Sequence, residues 1–369
     1  MTGLQDRLST AQVEEFGREL DALRQRIVDD LGEEDVEYIR KIIKTQRALE
    51  VTGRGLLFAG FLPPAWLAGV AALSAAKILD NMEIGHNVMH GQYDWTRIPE
   101  LSSQRFEWDT VAPSENWRHS HNYIHHTYTN IVDKDRDVGY GILRMDPAQK
   151  WHPYYLGNPV YATLLALLFQ WGVMLHDLEV DRVVKGERTW AENVPVLRRI
   201  VRKASRQVGK DYVLFPLLTG PLAPLTLLGN ASANLVRNLW AFSIIFCGHF
   251  PADVESFTEE ETENETRGQW YLRQILGSAN ITGSPLFHIL SGNLSHQIEH
   301  HLFPDLPARR YPQIAGEVRE ICERYGLPYN TGPLHKQLWS VAKKIARLAL
   351  PGKPGPAATV DPERQLRAA

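Results

Sequence analysis

The chain has 369 residues, 44% of them hydrophobic, and its 40 Lys and Arg against 43 Asp and Glu leave a formal charge of −3. That is long enough for a sizeable core and too apolar for wholesale disorder, and the near-neutral balance lacks the basic excess of a nucleic-acid binder. Two cysteines, Cys247 and Cys322, exclude a disulfide framework and any cysteine-built zinc or iron–sulfur site, while a mean hydropathy of −0.28 excludes a chain lying mostly in lipid but not several spans under a soluble cap.

In chain order, residues 1–38 set Leu4, Leu8, Val13, Phe16, Leu20, Leu23 and Val28 along one stripe, which predicts an amphipathic surface helix and not a cleaved signal peptide. The next helical stretch, Tyr38 to Leu62, carries Arg40, Lys41, Lys44 and Arg47 at its start, turns apolar late around Arg54, and is broken by Pro63 and Pro64. An apolar, small-residue run then leads from Ala65 into the motif HNVMH. The two arms read as a first hairpin, with spans near 45–62 and 65–85. Residues 91–157 lack periodicity and read as loops and short helices. The run 158–176 is apolar but ends at His176, Asp177 and Glu179, so it is expected at the interface or buried in protein. Segment 181–210 is rich in Lys and Arg and is assigned to the cytoplasmic side. Two further runs, 212–228 and 232–248, flank a turn-prone Gly-Asn-Ala-Ser-Ala-Asn and predict a second hairpin. Residues 39–310 thus read as one membrane domain. A helical segment over 311–350 and a disordered Pro/Gly/Ala-rich tail over 351–369 complete the chain. The expected class is all-α, and the returning hairpins put the histidine-rich segments on one side.

Ten of the 14 histidines fall within 86–126 and 288–301. HNVMH places His86 and His90 one helical turn apart, HNYIHH repeats the spacing with His121 and His125 and adds His126, and HQIEHH does so with His296, His300 and His301. His119, His152, His176, His288 and His335 lack such spacing and read as surface or ordinary core residues. His249 closes the apolar run Phe-Cys-Gly-His-Phe where a hairpin returns, a place where a polar residue is usually functional, so it joins the ligand candidates. No HExxH motif is present, and seven or eight imidazoles are too many for one ion and suitable for two. Imidazole suits iron, zinc, copper and nickel. A site of neutral imidazoles beside lipid, without an acid–base pair, fits oxygen activation by paired iron rather than hydrolysis.

HNVMH, HNYIHHTYTN and HQIEHHLFP resemble the three histidine boxes of the integral-membrane fatty-acid desaturases, over roughly residues 45–310. The resemblance implies four spanning helices under a helical cytoplasmic cap holding two ferrous ions. The implied ligands are His86, His90, His121, His125, His126, His300 and His301, and His249 matches an additional ligand at the end of the last span. Two positions depart from the common pattern. Gln297 stands where many members have the first histidine of box three, as in a QxxHH branch, which leaves Gln297 or His296 as a further ligand or a supporting group. Ile245 stands where some members have asparagine. Asp80, Glu83, Asp133, Asp135, Asp137 and Glu299 are candidates to orient the imidazoles.

The reaction implied is O2-dependent desaturation of a fatty acyl chain carried on coenzyme A, carrier protein or lipid. The same ligand set is compatible with a hydroxylase. A metal transporter or store would string its polar residues through the spans instead. Gly53, Gly55 and Phe58 fail the dinucleotide fingerprint, and His152-Pro153 is followed by Tyr154 and Tyr155 rather than by the glycines of a haem-binding HPGG. Electrons are therefore expected from a separate ferredoxin or cytochrome b5 type donor with its reductase, docking near Arg198, Arg199, Arg202 and Lys203. The expected location is multi-pass in a bacterial inner membrane, in contact with lipid, with the boxes on the cytoplasmic side.

Overall fold

The structure, a computed structural model, describes residues 7–184 and 186–352. Leu4 of the first stripe and residues 353–369 of the predicted tail lie outside the described residues. The fold is all-α apart from two three-residue strands, β1 (Asn280–Thr282) and β2 (Thr331–Pro333), paired in parallel.

Helix α1 (Thr10–Asp29) opens on a Ser9–Gln12 capping box and buries Val13, Phe16, Leu20, Leu23 and Ile27. Helix α2 (Glu33–Leu57) begins at Glu33, five residues before the predicted Tyr38. The cause is a local cap: Asp35 accepts the Gly32 N–H at 3.1 Å and also receives the Arg310 guanidinium at 2.8 and 2.7 Å.

Helix α3 (Pro63–Leu79) returns along α2 at very close range, since a Cβ on Gly53 would lie 2.9 Å from the Gly69 carbonyl oxygen. Helices α4 (Asn158–Leu167) and α5 (Phe169–His176) meet at a 102° bend. Helix α6 (Trp190–Val208) continues through a π-helical turn, Gly209–Leu214, into α7 (Phe215–Leu218). Helix α8 (Ala223–His249) runs unbroken through the predicted turn Gly-Asn-Ala-Ser-Ala-Asn, so the second hairpin reverses earlier, at Gly220–Leu222, where Gly220 takes a φ of 56° and Pro221 follows. Asp211 ties the two hairpins together. It receives Arg54 at 2.8 Å from α2, Lys77 at 2.8 Å from α3 and Asn234 at 3.0 Å from α8. The charge of Arg54 in the first arm is thus paired inside the protein. Among the described residues no single helix is long and apolar enough to cross a membrane, though the bent stretch Pro153–His176 passes that test as a pair.

Helices α9 (Arg267–Leu276), α10 (Gln297–Leu302), α11 (Tyr311–Arg324) and α12 (Leu334–Ala349) follow. One core joins α1, α9, α10 and α11, and includes Ile298 and Leu302 beside the third box. Another joins α4, α5, α8 and α12, and includes Met82 and Cys247 near His86 and His249. The box histidines lie where these two cores meet.

Candidate metal centre

The first box starts at His86, the last residue of the π-helical turn Asp80–His86, and the second lies in another such turn, Arg118–His125, where the helix widens. The His126 N–H reaches the His121 carbonyl, five residues back. Such turns are rare in helices and concentrate at functional sites. Here the wider turn spreads His121, His125 and His126 between two neighbouring groups of rings.

The first group is His86, His90, His121 and His300, and the second is His125, His126 and His301. Within each, one nitrogen per ring lies within 4.8 Å of the others. His249 Nε2 lies 3.2 Å from His301 Nε2 and 2.9 Å from Gln297 Nε2, which brings the end of α8 and the start of α10 to the second group. The Nε2 atoms of His90, His121, His125, His126 and His300 are buried without a hydrogen-bond partner. A buried polar atom left unpaired is costly, and converging lone pairs are what a metal ion satisfies. The donor set fits two imidazole-bound ions.

The opposite ring nitrogens are held from outside. His121 Nδ1 lies 3.1 Å from Asp137, His125 Nδ1 3.0 Å from both oxygens of Asp135, and His301 Nδ1 3.0 Å from Gln274 Oε1. His86 Nδ1 meets Asn87 Oδ1 at 3.0 Å, and His300 Nδ1 lies 3.3 Å from the Tyr311 hydroxyl. Each contact fixes a tautomer and turns Nε2 toward the centre. Arg273, fully buried, clamps the end of the second box by donating to the carbonyls of Thr127 and Thr129 at 2.9 Å each.

Several predicted residues lie elsewhere. His296 is the residue before α10, outside both groups, and its ring centroid lies 4.6 Å from that of His288. Glu299 accepts from Tyr329 at 2.7 Å and Asn280 at 2.8 Å, with no hydrogen bond to a box imidazole. Glu83 accepts from Tyr38 and Asn293, and Asp80 from the Asp109 N–H. Asp133 is exposed in a left-handed turn with φ 66°. His119, His152 and His335 are exposed. His176 is not an ordinary core residue: buried, it places Nε2 3.4 Å from Asp137 Oδ1 and faces the same cavity as the boxes. Gln274, Tyr311 and His176 carried no spacing signal. Asn87 and Thr129 lay within the quoted motifs.

Burial holds His126, His300 and His301 well below the ordinary imidazole value, and neighbouring rings add to the effect. They are neutral at physiological pH, the state that binds metal. His125 runs the other way, because Asp135 and Asp137 outweigh its burial and raise its value.

A narrow cleft opens beneath the boxes. His86, His121, His125 and His249 line one end. Trp108, Trp117, Phe169 and Val173 supply apolar walls, and Arg237, Asn238 and Gln170 line it further along α8 and α5. The cleft thus sets an apolar lining next to the imidazoles.

A profile of the fatty acid desaturase family matches residues 63–333. Over 94% of this chain and 82% of the relative, the sequence is 49% identical to the NADPH-dependent stearoyl-CoA 9-desaturase of Mycobacterium tuberculosis. It is 27% identical to the sn-1 linoleoyl-lipid 6-desaturase of a Synechocystis strain, over 76% of this chain and 79% of that protein, and 28% identical to Delta(5) fatty acid desaturase A of Dictyostelium discoideum, over 73% and 59%. With those boxes, that cavity and this likeness, the chain belongs to the fatty acid desaturase family of oxidoreductases.

Proposed function

We propose that the chain introduces a double bond into a fatty acyl thioester at a pair of iron ions. His86, His90, His121 and His300 hold one ion. His125, His126 and His301, with His249 and Gln297 beside them, hold the other. The observation that carries this reading is the convergence of seven box imidazoles into two groups with buried, unpartnered nitrogens. Bound there, iron supplies the oxidising power to remove hydrogen from an unactivated methylene at the expense of O2.

The chain's own residues bind, orient and exclude water. Asp135, Asp137 and Gln274 set the rings. Trp108, Trp117, Phe169 and Val173 hold methylenes against them and keep bulk water out. The balance is one O2, two hydrogens from neighbouring carbons, two external electrons and two protons, giving one alkene and two waters. A separate donor protein supplies the electrons at the basic face of α6, where Arg198 and Arg202 are exposed. The thioester follows the carrier named for the M. tuberculosis relative. The hairpins lie in the bilayer, where Val51, Phe61 and Leu67 of the first and Leu217, Leu225 and Leu235 of the second present exposed apolar side chains to lipid.

Metal analysis combined with product analysis tests this. Active protein is expected to carry about two iron ions per chain and to turn stearoyl-CoA into a monounsaturated product, and His300→Ala is expected to lose both iron and turnover. A hydroxylated product, or undiminished turnover in iron-stripped protein, overturns the reading.

A further inference from the structure

Helix α6 carries the basic residues expected to meet the electron donor, and the structure divides them. Arg198 and Arg202 are exposed. Arg199 and Lys203 turn inward: Arg199 Nε donates to Asn116 Oδ1 at 2.9 Å, and Lys203 Nζ to the Trp108 carbonyl oxygen at 2.6 Å. Ile200, between them on the same helix, is buried in one cluster with Trp108 and Trp117. The helix that presents the basic face is therefore fastened to the segment that carries these two tryptophans.

The tryptophans, both buried, continue the line inward. The ring centroids of Trp108 and Trp117 lie 5.3 Å apart. Trp117 stacks on His121 at 4.4 Å with the planes 21° apart, and its centroid lies 5.4 Å from that of His86 and 5.5 Å from that of His90. These three imidazoles belong to the first group of rings. A wall for methylenes needs apolar bulk, which an aliphatic side chain supplies equally well. An indole stacked face to face on a ligand imidazole brings the two π systems into contact as well. Electron tunnelling falls steeply across empty space and less steeply through contacting orbitals. A run of rings in contact is thus the favoured path from a carrier outside to an ion inside.

We propose that Trp108 and Trp117 form the route by which electrons cross from a donor on α6 to the ion held by His86, His90, His121 and His300. The inference rests on the desaturation reading above and adds the path. The donor is a one-electron carrier protein with an acidic face that matches Arg198 and Arg202. In each transfer the reduced carrier loses one electron and one ferric ion becomes ferrous. The tryptophans end unchanged, and no bond forms or breaks.

A light-driven reductant on the protein tests the route without the donor. Cys247 and Cys322 are buried. Arg202→Cys therefore offers a reactive thiol on α6 for a ruthenium polypyridyl label, and Glu320→Cys, at an exposed position of α11, offers a control. In the oxygen-free, iron-loaded ferric enzyme, with a sacrificial amine present, a flash is expected to bleach the ferric absorption from the α6 label. Trp108 stands one ring away from His121, so Trp108→Leu leaves the stack on that ligand in place. This variant is expected to retain its iron and to slow the bleaching from the α6 label severalfold, with the rate from the α11 label unchanged. Trp117→Leu is expected to slow it likewise, and Trp117→Phe, which keeps a ring against His121, to retain most of the rate. A wild-type rate in Trp108→Leu and Trp117→Leu, or equal slowing from both labels, overturns the proposal. Alkene formation with tryptophan-independent reduction sinks the route and leaves the desaturation reading standing. Tryptophan-dependent reduction in protein that forms no double bond does the reverse.

Discussion

The Asp135 carboxylate accepts the Nδ1–H of His125 with both oxygens at 3.0 Å, and it is itself pinned by the backbone N–H groups of Asn130 at 2.8 Å and Asp137 at 3.0 Å. A carboxylate so fixed holds the ring, and hence Nε2, in one orientation. Asp135→Asn is expected to weaken iron binding about 10- to 100-fold, while Asp133→Asn, altering an exposed side chain, leaves it unchanged. Iron titration of the two variants checks this. Equal behaviour would mean that the contact does not tune the site.

His296 and His301 both belong to the HQIEHH motif but occupy different surroundings. His301→Ala is expected to lower bound iron by about one ion per chain, whereas His296→Ala retains the full complement. Metal content after identical reconstitution separates the two, and a loss of iron in His296→Ala would place that ring among the ligands.

Acid is expected to destabilise the metal-free protein. In the folded chain His126, His300 and His301 resist protonation, whereas unfolded imidazoles take up protons near 6.5. Below that pH the unfolded state binds more protons, so stability falls by about 1.4 kcal/mol per pH unit for each ring fully expressed. Glu299, raised by burial to about 7, acts in the opposite sense, giving stability at low pH that is lost as pH rises through 7, and it offsets one ring. Unfolding of iron-free protein from neutral to mildly acid pH, with a net loss of stability on acidification, is the expected result. A flat profile would argue against neutral buried rings.

Asp211→Asn removes the carboxylate on which Arg54 and Lys77 converge. Leaving buried cations unmatched is expected to cost about 3–5 kcal/mol, read as a lower Tm in detergent or lipid. Adding Lys77→Met to the variant is expected to recover part of the loss. An unchanged Tm would show that the network is not what joins the hairpins.

The helical class, the Pro63 break of the first hairpin and the grouping of the box histidines could be read from residue order, because apolar runs and repeated spacings are local, whereas the turn-prone Gly-Asn-Ala-Ser-Ala-Asn folds as helix within α8. The supporting groups could not. Gln274 comes from α9 and Tyr311 from α11, and each reaches its imidazole only because α9, α10 and α11 share one core. His296 shows the limit of spacing arguments. It stands at i, i+4 to His300, but its φ of −101° and ψ of 58° take it out of the helix, so the rule that aligns such pairs does not apply. The tolerance for Arg54 likewise depended on a distant partner, Asp211.

The widened turns at Asp80–His86 and Arg118–His125 make the centre sensitive to chain length as well as to composition. Deleting one residue from either would tighten it to an ordinary helix and rotate everything beyond by about 100°. His90 or His126 would then swing away from its companions with every imidazole still present in the polypeptide. A register shift of a single position is therefore as disabling here as the loss of a ligand.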